Sequence, residues 1–172
     1  MSATPTITPG GIPSGIRRER FASTKLLHEW ALMQPWDVPF EYEMRLGSTP
    51  LSATAGALTP ELERMLRVFN RYADGVGITP TEIQVVEAKM QFDPGAISQV
   101  EHYVDLIHHT PMLRAYAGRQ VQAVIVVAFD DPVLHQKANS KGIRVIHFTP
   151  AWAVEWLKKR YSGRKALQSE GG

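Results

Sequence analysis

The second half of the chain alternates between apolar runs with the spacing of strands and apolar runs with the spacing of helices. Two short segments, Tyr72–Ile78 and Ile83–Met90, predict strands joined by a four-residue turn at Thr79–Glu82. Val121–Ala128 predicts a strand buried on both faces, and Ile143–Phe148 predicts the last strand of the core. The pattern therefore predicts about four strands.

Helix signals separate these strands, each made of an N-cap residue followed by proline. They stand at Thr59-Pro60, Asp93-Pro94, Asp131-Pro132 and Thr149-Pro150, and Gly142 predicts the end of the third helix. Apolar residues at helical spacing follow the first, second and last signals: Leu62, Met65, Leu66 and Phe69; Ile97, Val100, Val104 and Ile107; Trp152, Trp156 and Leu157. A hairpin followed by strands reached through helices predicts an α/β fold, with a mixed sheet flanked by helices on both sides.

The N-terminal third has weaker patterns. Phe21–Met33 predicts a helix with one apolar face, Phe40–Met44 alternates like a short strand, and Gly47–Ala57 is small and polar like a loop. Met1–Ser14 is mostly Pro, Gly, Thr and Ser and predicts an extended arm. We therefore divide the chain into an extended arm at 1–20, a helix, strand and loop extension at 21–57, a core domain at 58–160 and a flexible tail at 161–172.

The arm suggests a larger assembly. Fixing each of its residues costs about 1–2 kcal/mol of backbone entropy, which an isolated domain has no means to recover. We therefore expect Met1–Ser14 to run along partner subunits, in a homo-oligomer or a larger protein assembly.

Composition narrows the class of protein without naming a partner. The 172 residues are 44% hydrophobic and 21% charged with a net charge of +2, which excludes a chain that is disordered throughout. Cysteine is absent, which excludes disulfides and thiolate metal sites. The longest apolar run, Val121–Phe129, is too short to span a bilayer, and the N-terminus lacks the apolar stretch of a signal peptide. We therefore expect no membrane partner and a cytoplasmic location.

Basic residues gather near both ends of the chain, where they suit an anionic polymer such as DNA. The two groups are Arg17, Arg18, Arg20 and Lys25, and Lys158, Lys159, Arg160, Arg164 and Lys165.

The predicted hairpin brings charged side chains together. If Thr79–Glu82 forms the turn, Ile78 faces Ile83, and Asp74 lies opposite Glu87 with Cβ atoms about 4.5–5.5 Å apart. Two carboxylates this close repel each other unless a divalent cation lies between them. Lys89 follows Glu87 by two residues and shares its face of the sheet, where its amino group can serve a water molecule or a phosphate. The structural alternative is that Asp74 begins a turn with Gly75 while Glu87 and Lys89 form an ion pair.

Asp74 followed by Glu87-Ala88-Lys89 on the second strand of a hairpin resembles the PD-(D/E)xK nuclease superfamily. The next helix adds Gln99 and Tyr103, whose Gln-x3-Tyr spacing resembles the RecB-like and Cas4-like branch. Two departures are that no proline precedes Asp74 and that the iron–sulfur cysteines are missing. The resemblance spans about Leu62 to Phe148 and implies a core like that of the restriction endonucleases.

The resemblance implies a DNA nuclease that depends on Mg²⁺ or Mn²⁺ and hydrolyses phosphodiester bonds with a metal-activated water. Asp74 and Glu87 would hold the metal together with the carbonyl of Ala88. Lys89 would serve the water or the scissile phosphate, and Gln99 and Tyr103 would position the DNA backbone. The acid that completes the site from upstream stays open among Glu41, Glu43 and Glu63.

A second class of function also fits. The arm and the Ser- and Gly-containing tail suit an assembly protein that uses a nuclease-like fold as a scaffold, with or without activity. Compact proteins of this kind occur among phage gene products, so this hypothesis predicts a phage-encoded head–tail or neck component and a location in the virion.

Overall fold

The structure is a computed structural model that describes residues 14–47 and 71–169. These residues form five strands and four α-helices. Side chains are described over 19–47 and 71–162. In chain order the elements are α1 (Ser14–Ala31), β1 (Glu41–Leu46), β2 (Arg71–Ile78), β3 (Glu82–Gln91), α2 (Pro94–Ile107), a 3₁₀ helix (Pro111–Tyr116), β4 (Gln120–Phe129), α3 (Pro132–Ser140), β5 (Arg144–His147) and α4 (Ala151–Ser169).

The strands form one mixed sheet in the order β1-β2-β3-β4-β5. The first three strands are an antiparallel meander, and β3, β4 and β5 are parallel. The α/β class and the mixed sheet are thus confirmed, but the predicted count of about four strands was one too low. The additional strand is β1, which was assigned to an extension and instead pairs with β2 along its length, from Glu41 opposite Val76 to Leu46 opposite Arg71.

Helices cover both faces of the sheet, as predicted. On one face α1 packs through Leu26, Leu27 and Trp30 against even-numbered residues of β3 and β4 such as Val86 and Val126. On the other face α2 packs against odd-numbered residues of the same strands, and its buried residues are Ala96, Ile97, Val100, Tyr103 and Ile107. The two central strands are therefore buried on both sides, which explains their continuous apolar runs.

The predicted helix starts are confirmed for α2 and α3. The Oδ1 atom of Asp93 accepts hydrogen bonds from the N–H groups of Gly95 and Ala96 at 2.8 and 3.2 Å. Asp131 caps α3 in the same way, and Gly142 follows α3 with a φ of 75°, the left-handed conformation that favours glycine.

The two terminal helices are longer than predicted. α1 begins at Ser14 rather than Phe21, because neither proline nor glycine interrupts residues 16–34. α4 continues to Ser169, so the predicted tail at 161–172 is helical over most of its length. Residues 14–20 of the predicted extended arm at 1–20 are therefore helical. The rest of that arm, the predicted loop after Gly47 and the predicted helix that begins at Thr59 lie outside the described residues.

Two glycines of β2 make room for aromatic rings that lie under α1. A Cβ atom on Gly75 would lie 2.2 Å from the ring of Phe40, and one on Gly77 would lie 2.2 Å from the ring of Trp36. Trp36 is held in place by a 2.8 Å hydrogen bond from its Nε1 to the carbonyl of Ala31. The Gly-x-Gly sequence therefore serves packing at this point of the sheet.

No helix in the described ranges has the length and apolar character needed to cross a membrane.

Candidate active site

The β2–β3 hairpin has the predicted register. Ile78 faces Ile83 and Gly75 faces Val86, so Asp74 and Glu87 occupy the next pair of positions. The backbone pairing of β2 with β3 ends at Gly75 and Val86, and beyond it the Asp74 carboxylate contacts β3. Its Oδ2 atom accepts the backbone N–H of Ala88 at 2.9 Å. In an extended strand the N–H and C=O groups of one residue point toward the same neighbouring strand, so the carbonyl of Ala88 is also directed toward β2 and Asp74.

Glu87 is buried in the middle of β3. Its side chain is 3% exposed, and its Oε1 atom lies 2.8 Å from Nζ of Lys89. The other carboxylate oxygen, Oε2, is buried and makes no hydrogen bond of normal geometry among the described residues, although the Tyr103 hydroxyl lies close enough to Glu87 to act on its charge. Leaving such an atom unpaired costs about 1–3 kcal/mol, and more when the group is charged. The ion pair of the structural alternative therefore exists, but it satisfies only half of the carboxylate.

The other half of that alternative is wrong. Asp74 does not begin a turn with Gly75, because β2 continues as a strand to Ile78.

Burial controls the protonation of both acids. It is the largest cause that raises the pKa of Glu87 to about 7, and the neighbouring Asp74 raises it further, while Lys89 and the Tyr103 hydroxyl act to lower it. Burial also raises the pKa of Asp74, against the opposing effects of the Ala88 N–H, Lys89 and Arg20. The two acids therefore hold protons more tightly than exposed acids do.

Lys89 remains a cation in this setting. Burial acts to lower its pKa, but the negative charges of Glu87, Asp93 and Asp74 outweigh burial and leave the pKa of Lys89 raised. Its side chain is 27% exposed, so the ammonium group reaches the solvent side of the hairpin.

Helix α2 brings Gln99 and Tyr103 to the same place. The two residues are one helical turn apart and share one side of the helix. Tyr103 is buried against the sheet beside Glu87, and burial together with the charges of Glu87 and Asp74 raises the pKa of its hydroxyl. Gln99 is exposed.

One cleft of about 720 Å³ joins these groups. All six residues that the sequence predicts for the site line it: Asp74, Glu87, Ala88, Lys89, Gln99 and Tyr103. The described lining holds more carboxylates than cations. The acids are Glu19, Glu43, Asp74, Glu87 and Asp93, and the bases are Arg20 and Lys89. This excess of negative charge favours the binding of cations.

Glu43 contributes a third carboxylate from β1. Residues 42 and 44 face Gly75 and Ala73, so Glu43 stands in register with Asp74. Its φ is 48°, which is uncommon for a residue other than glycine. Of the three upstream acids left open, Glu43 thus lies at the cleft, Glu41 is exposed on β1 away from its lining, and Glu63 lies outside the described residues.

Several lining residues were not predicted from the sequence as part of the site. Arg20 was noted only as a basic residue near the N-terminus, and Asp93 only as an N-cap. Tyr42 and Tyr72 are half-exposed aromatic residues on neighbouring strands at the cleft. The pairing of β1 with β2 brings Tyr42 and Tyr72 to the cleft, and this pairing has no local signal in the sequence.

The donor set fits a divalent cation through two carboxylates and a backbone carbonyl. Oxygen ligands of this kind suit Mg²⁺ and Mn²⁺. In residues 19–47 and 71–162 no three carboxylate or imidazole side chains are gathered closely enough to hold a metal ion by themselves. The unpaired Oε2 of Glu87 is the atom that a cation in the cleft would satisfy.

Comparison with known proteins identifies no relative: no family model, no curated protein and no solved structure matches this chain.

Proposed function

We propose that this protein is a nuclease that uses Mg²⁺ or Mn²⁺ to hydrolyse phosphodiester bonds in DNA. The observation that carries the proposal is the buried carboxylate of Glu87, which keeps Oε2 without a donor beside a second acid, Asp74. If Glu87 served only to pair with Lys89, replacing Glu87 with a neutral residue would be expected to stabilise the protein. A bound cation would offset the cost of placing two acids side by side at this buried position.

The arrangement of elements supports a core like that of the restriction endonucleases. The acids lie on a hairpin, β2 and β3, whose second strand continues through α2 into the parallel strand β4. The Glu87-Ala88-Lys89 segment lies in the centre of the sheet, and Gln99 and Tyr103 approach it from the following helix. This is the order in which the sequence motifs resemble that superfamily.

Asp74, Glu87 and the carbonyl of Ala88 would hold the cation. When bound, Mg²⁺ or Mn²⁺ acidifies a water molecule and withdraws charge from the phosphate that the water attacks. Asp74 is oriented for this role by the Ala88 N–H, which fixes one carboxylate oxygen and leaves the other free. Glu87, which lines the same cleft as Asp74, would contribute the buried Oε2.

Lys89 acts as a hydrogen-bond donor and a positive charge. Its raised pKa keeps the ammonium group protonated, so it is not the base that removes a proton from water. Negative charge develops on the phosphoryl oxygens as water adds to phosphorus and the P–O bond to the sugar breaks. The ammonium of Lys89, partly exposed at the cleft, stabilises that charge.

The remaining lining residues bind the DNA strand. The Gln99 amide is exposed one turn from Tyr103 and can donate to a backbone phosphate. Arg20 adds a positive charge on α1 at the cleft, near enough to Asp74 to lower the pKa of that acid.

The proposal is tested by cleavage of plasmid DNA and labelled oligonucleotides with Mg²⁺ or Mn²⁺. The wild-type protein should cleave the DNA, and a chelator should abolish that activity. The cleavage rates of Asp74→Asn, Glu87→Gln and Lys89→Met should each be lower by at least about 10²-fold. Glu41→Gln serves as the matched control, since Glu41 is an exposed acid of the same sheet outside the cleft lining. Full cleavage by Glu87→Gln overturns the assignment.

The assembly hypothesis rests on the arm, which lies outside the described residues. It is compatible with nuclease activity in the same chain, and its test is given below.

A further inference from the structure

Two tyrosines flank the position of Asp74 along the first two strands of the sheet. Tyr42 on β1 lies opposite Gly75, and Tyr72 on β2 lies opposite Arg45. Three residue positions therefore separate the two tyrosines along the strands, which is roughly 10 Å at the rise of a β-strand. Both tyrosines line the cleft, and Asp74 lies between their two positions.

The two tyrosine rings lie on the same face of the sheet. Tyr42 packs on Phe40 with ring centroids 4.9 Å apart, and Phe40 lies against Trp30 of α1. The neighbour of Tyr72, Ala73, is buried in the core on the α2 side. Because side chains alternate along a strand, Tyr72 faces the α1 side, as Tyr42 does.

Both rings keep an open surface at the cleft. Tyr42 is 38% exposed and Tyr72 is 49% exposed. The ring of Tyr42 is supported by the rings of Phe40 and His28, whereas the ring of Tyr72 contacts no other aromatic ring in residues 19–47 and 71–162. An exposed aromatic ring of this kind offers a surface on which the base of a nucleotide stacks.

Charge alone does not explain how this cleft would hold DNA. Proteins that bind duplex DNA take much of their affinity from Lys and Arg contacts to the phosphates. The described lining instead has five acids against two bases, Arg20 and Lys89, so it attracts phosphates weakly. Stacking on an aromatic ring supplies affinity that does not depend on charge, and it requires bases that are not paired and stacked within a duplex.

We propose that Tyr42 and Tyr72 stack unpaired bases beside the metal centre, and that the cleft therefore takes a single DNA strand rather than a duplex. The inference rests on the proposed function, since it names the form of DNA that the same cleft binds. The cleft volume of about 720 Å³ falls within the roughly 300–1,000 Å³ of pockets for small ligands, which suits part of one strand. The bases of an intact duplex are stacked on one another, so a duplex would leave both rings without a partner.

The test is binding of a short fluorescein-labelled DNA strand to the full-length protein, measured by fluorescence anisotropy in EDTA so that no cleavage occurs. The same strand paired with its complement is the duplex probe. The wild-type protein should bind the single strand at least about 10-fold more tightly than the duplex. Tyr72→Ala and Tyr42→Ala should each weaken binding of the single strand by about 5-fold or more and leave duplex binding unchanged.

Two matched variants separate stacking from other effects of the substitutions. Tyr72→Phe keeps the ring and should bind the single strand like wild type. Tyr161→Ala removes a tyrosine of the same 49% exposure on α4, outside the described lining of the cleft, and should also bind like wild type. A thermal melt of each variant controls for folding.

The outcomes separate this inference from the proposed function. Equal binding of the two probes by wild type, or binding of the single strand by Tyr42→Ala and Tyr72→Ala as tight as by wild type, overturns the inference. Cleavage of either probe with Mn²⁺ would then still support a nuclease. Single-strand binding that needs both rings, in a protein that cleaves neither probe with Mn²⁺, supports the stacking role and overturns the proposed function.

Discussion

The Nζ atom of Lys89 lies 2.8 Å from Oε1 of Glu87, and within the described part of the chain the second oxygen of that carboxylate makes no hydrogen bond of normal geometry. The side chain lies at the centre of a strand whose neighbours Val85, Val86 and Ala88 are buried. Asp74 and Tyr103 lie close enough to Glu87 to act on its pKa, which Asp74 raises and the Tyr103 hydroxyl lowers. Burial of this acid with one oxygen unpaired costs stability, and the proposed cation would remove that cost.

Stability without divalent cations should fall as the pH rises. The pKa of Glu87 is raised from 4.5 to about 7, so the folded protein binds more protons than the unfolded chain within that window. The contribution of Glu87 is present below about pH 4.5 and is lost as the pH rises through 7, by up to about 3 kcal/mol. Urea unfolding at several pH values between 4.5 and 8 measures the slope.

The variant Glu87→Gln is the control for this pH dependence. It cannot titrate, so its free energy of unfolding should change less over the same window and should exceed that of wild type at pH 8. An identical slope in wild type and Glu87→Gln would assign the pH dependence to other groups.

Removing Lys89 should expose its coupling to Glu87. Lys89→Met leaves a buried carboxylate without its cation, so it should be more destabilising at pH 8 than at pH 5, where Glu87 takes up a proton. In the Glu87→Gln background the same substitution should cost little. A double-mutant cycle from urea unfolding at pH 8 should give a coupling energy of about 1–3 kcal/mol. A coupling near zero would show that the 2.8 Å contact contributes nothing to stability.

Gly77→Ala should destabilise the fold by about 1–3 kcal/mol, because its new Cβ would overlap the Trp36 ring at 2.2 Å. The ring is fixed by its hydrogen bond to Ala31 and cannot move aside freely. Gly118→Ala is the matched control, since a Cβ atom there meets nothing within 4 Å. Equal thermal melting temperatures for the two variants would contradict the packing role of the Gly75-x-Gly77 sequence.

Deleting residues 1–13, which precede the first turn of α1, tests the assembly hypothesis. The truncated protein should keep its thermal melt and any cleavage activity, because the core begins at Ser14. Oligomerisation, measured by sedimentation velocity against the full chain, should be lost. The assembly hypothesis would be contradicted if the truncated protein lost its melting transition and the full-length protein were monomeric. In that case residues 1–13 would belong to the core.

The hairpin and its charged residues could be predicted because a short turn determines strand register. Once Thr79–Glu82 is read as the turn, simple counting places Asp74 beside Glu87, and the period of two places Lys89 on the same face. The prolines and aspartates at the starts of α2 and α3 are equally local signals. Each of these predictions depends on residues that are close together in the sequence.

The position of β1 could not be predicted for the opposite reason. Residues 48–70 separate β1 from β2, so no turn length fixes their pairing, and β1 was assigned to an extension outside the sheet. For the same reason the sequence could not predict that Glu43 aligns with Asp74. Glu41, Glu43 and Glu63 therefore remained equal candidates for the upstream acid of the site. Arg20 was missed as a cleft residue because its position depends on how α1 packs across the sheet.

The most direct test of the metal centre is an X-ray structure of crystals grown with Mn²⁺, using anomalous scattering to locate the ion. We predict a peak within about 2.5 Å of a carboxylate oxygen of Asp74, Oε2 of Glu87 and the carbonyl oxygen of Ala88. Absence of a peak in the cleft at saturating Mn²⁺, with Oε2 of Glu87 still unpaired, would contradict the account.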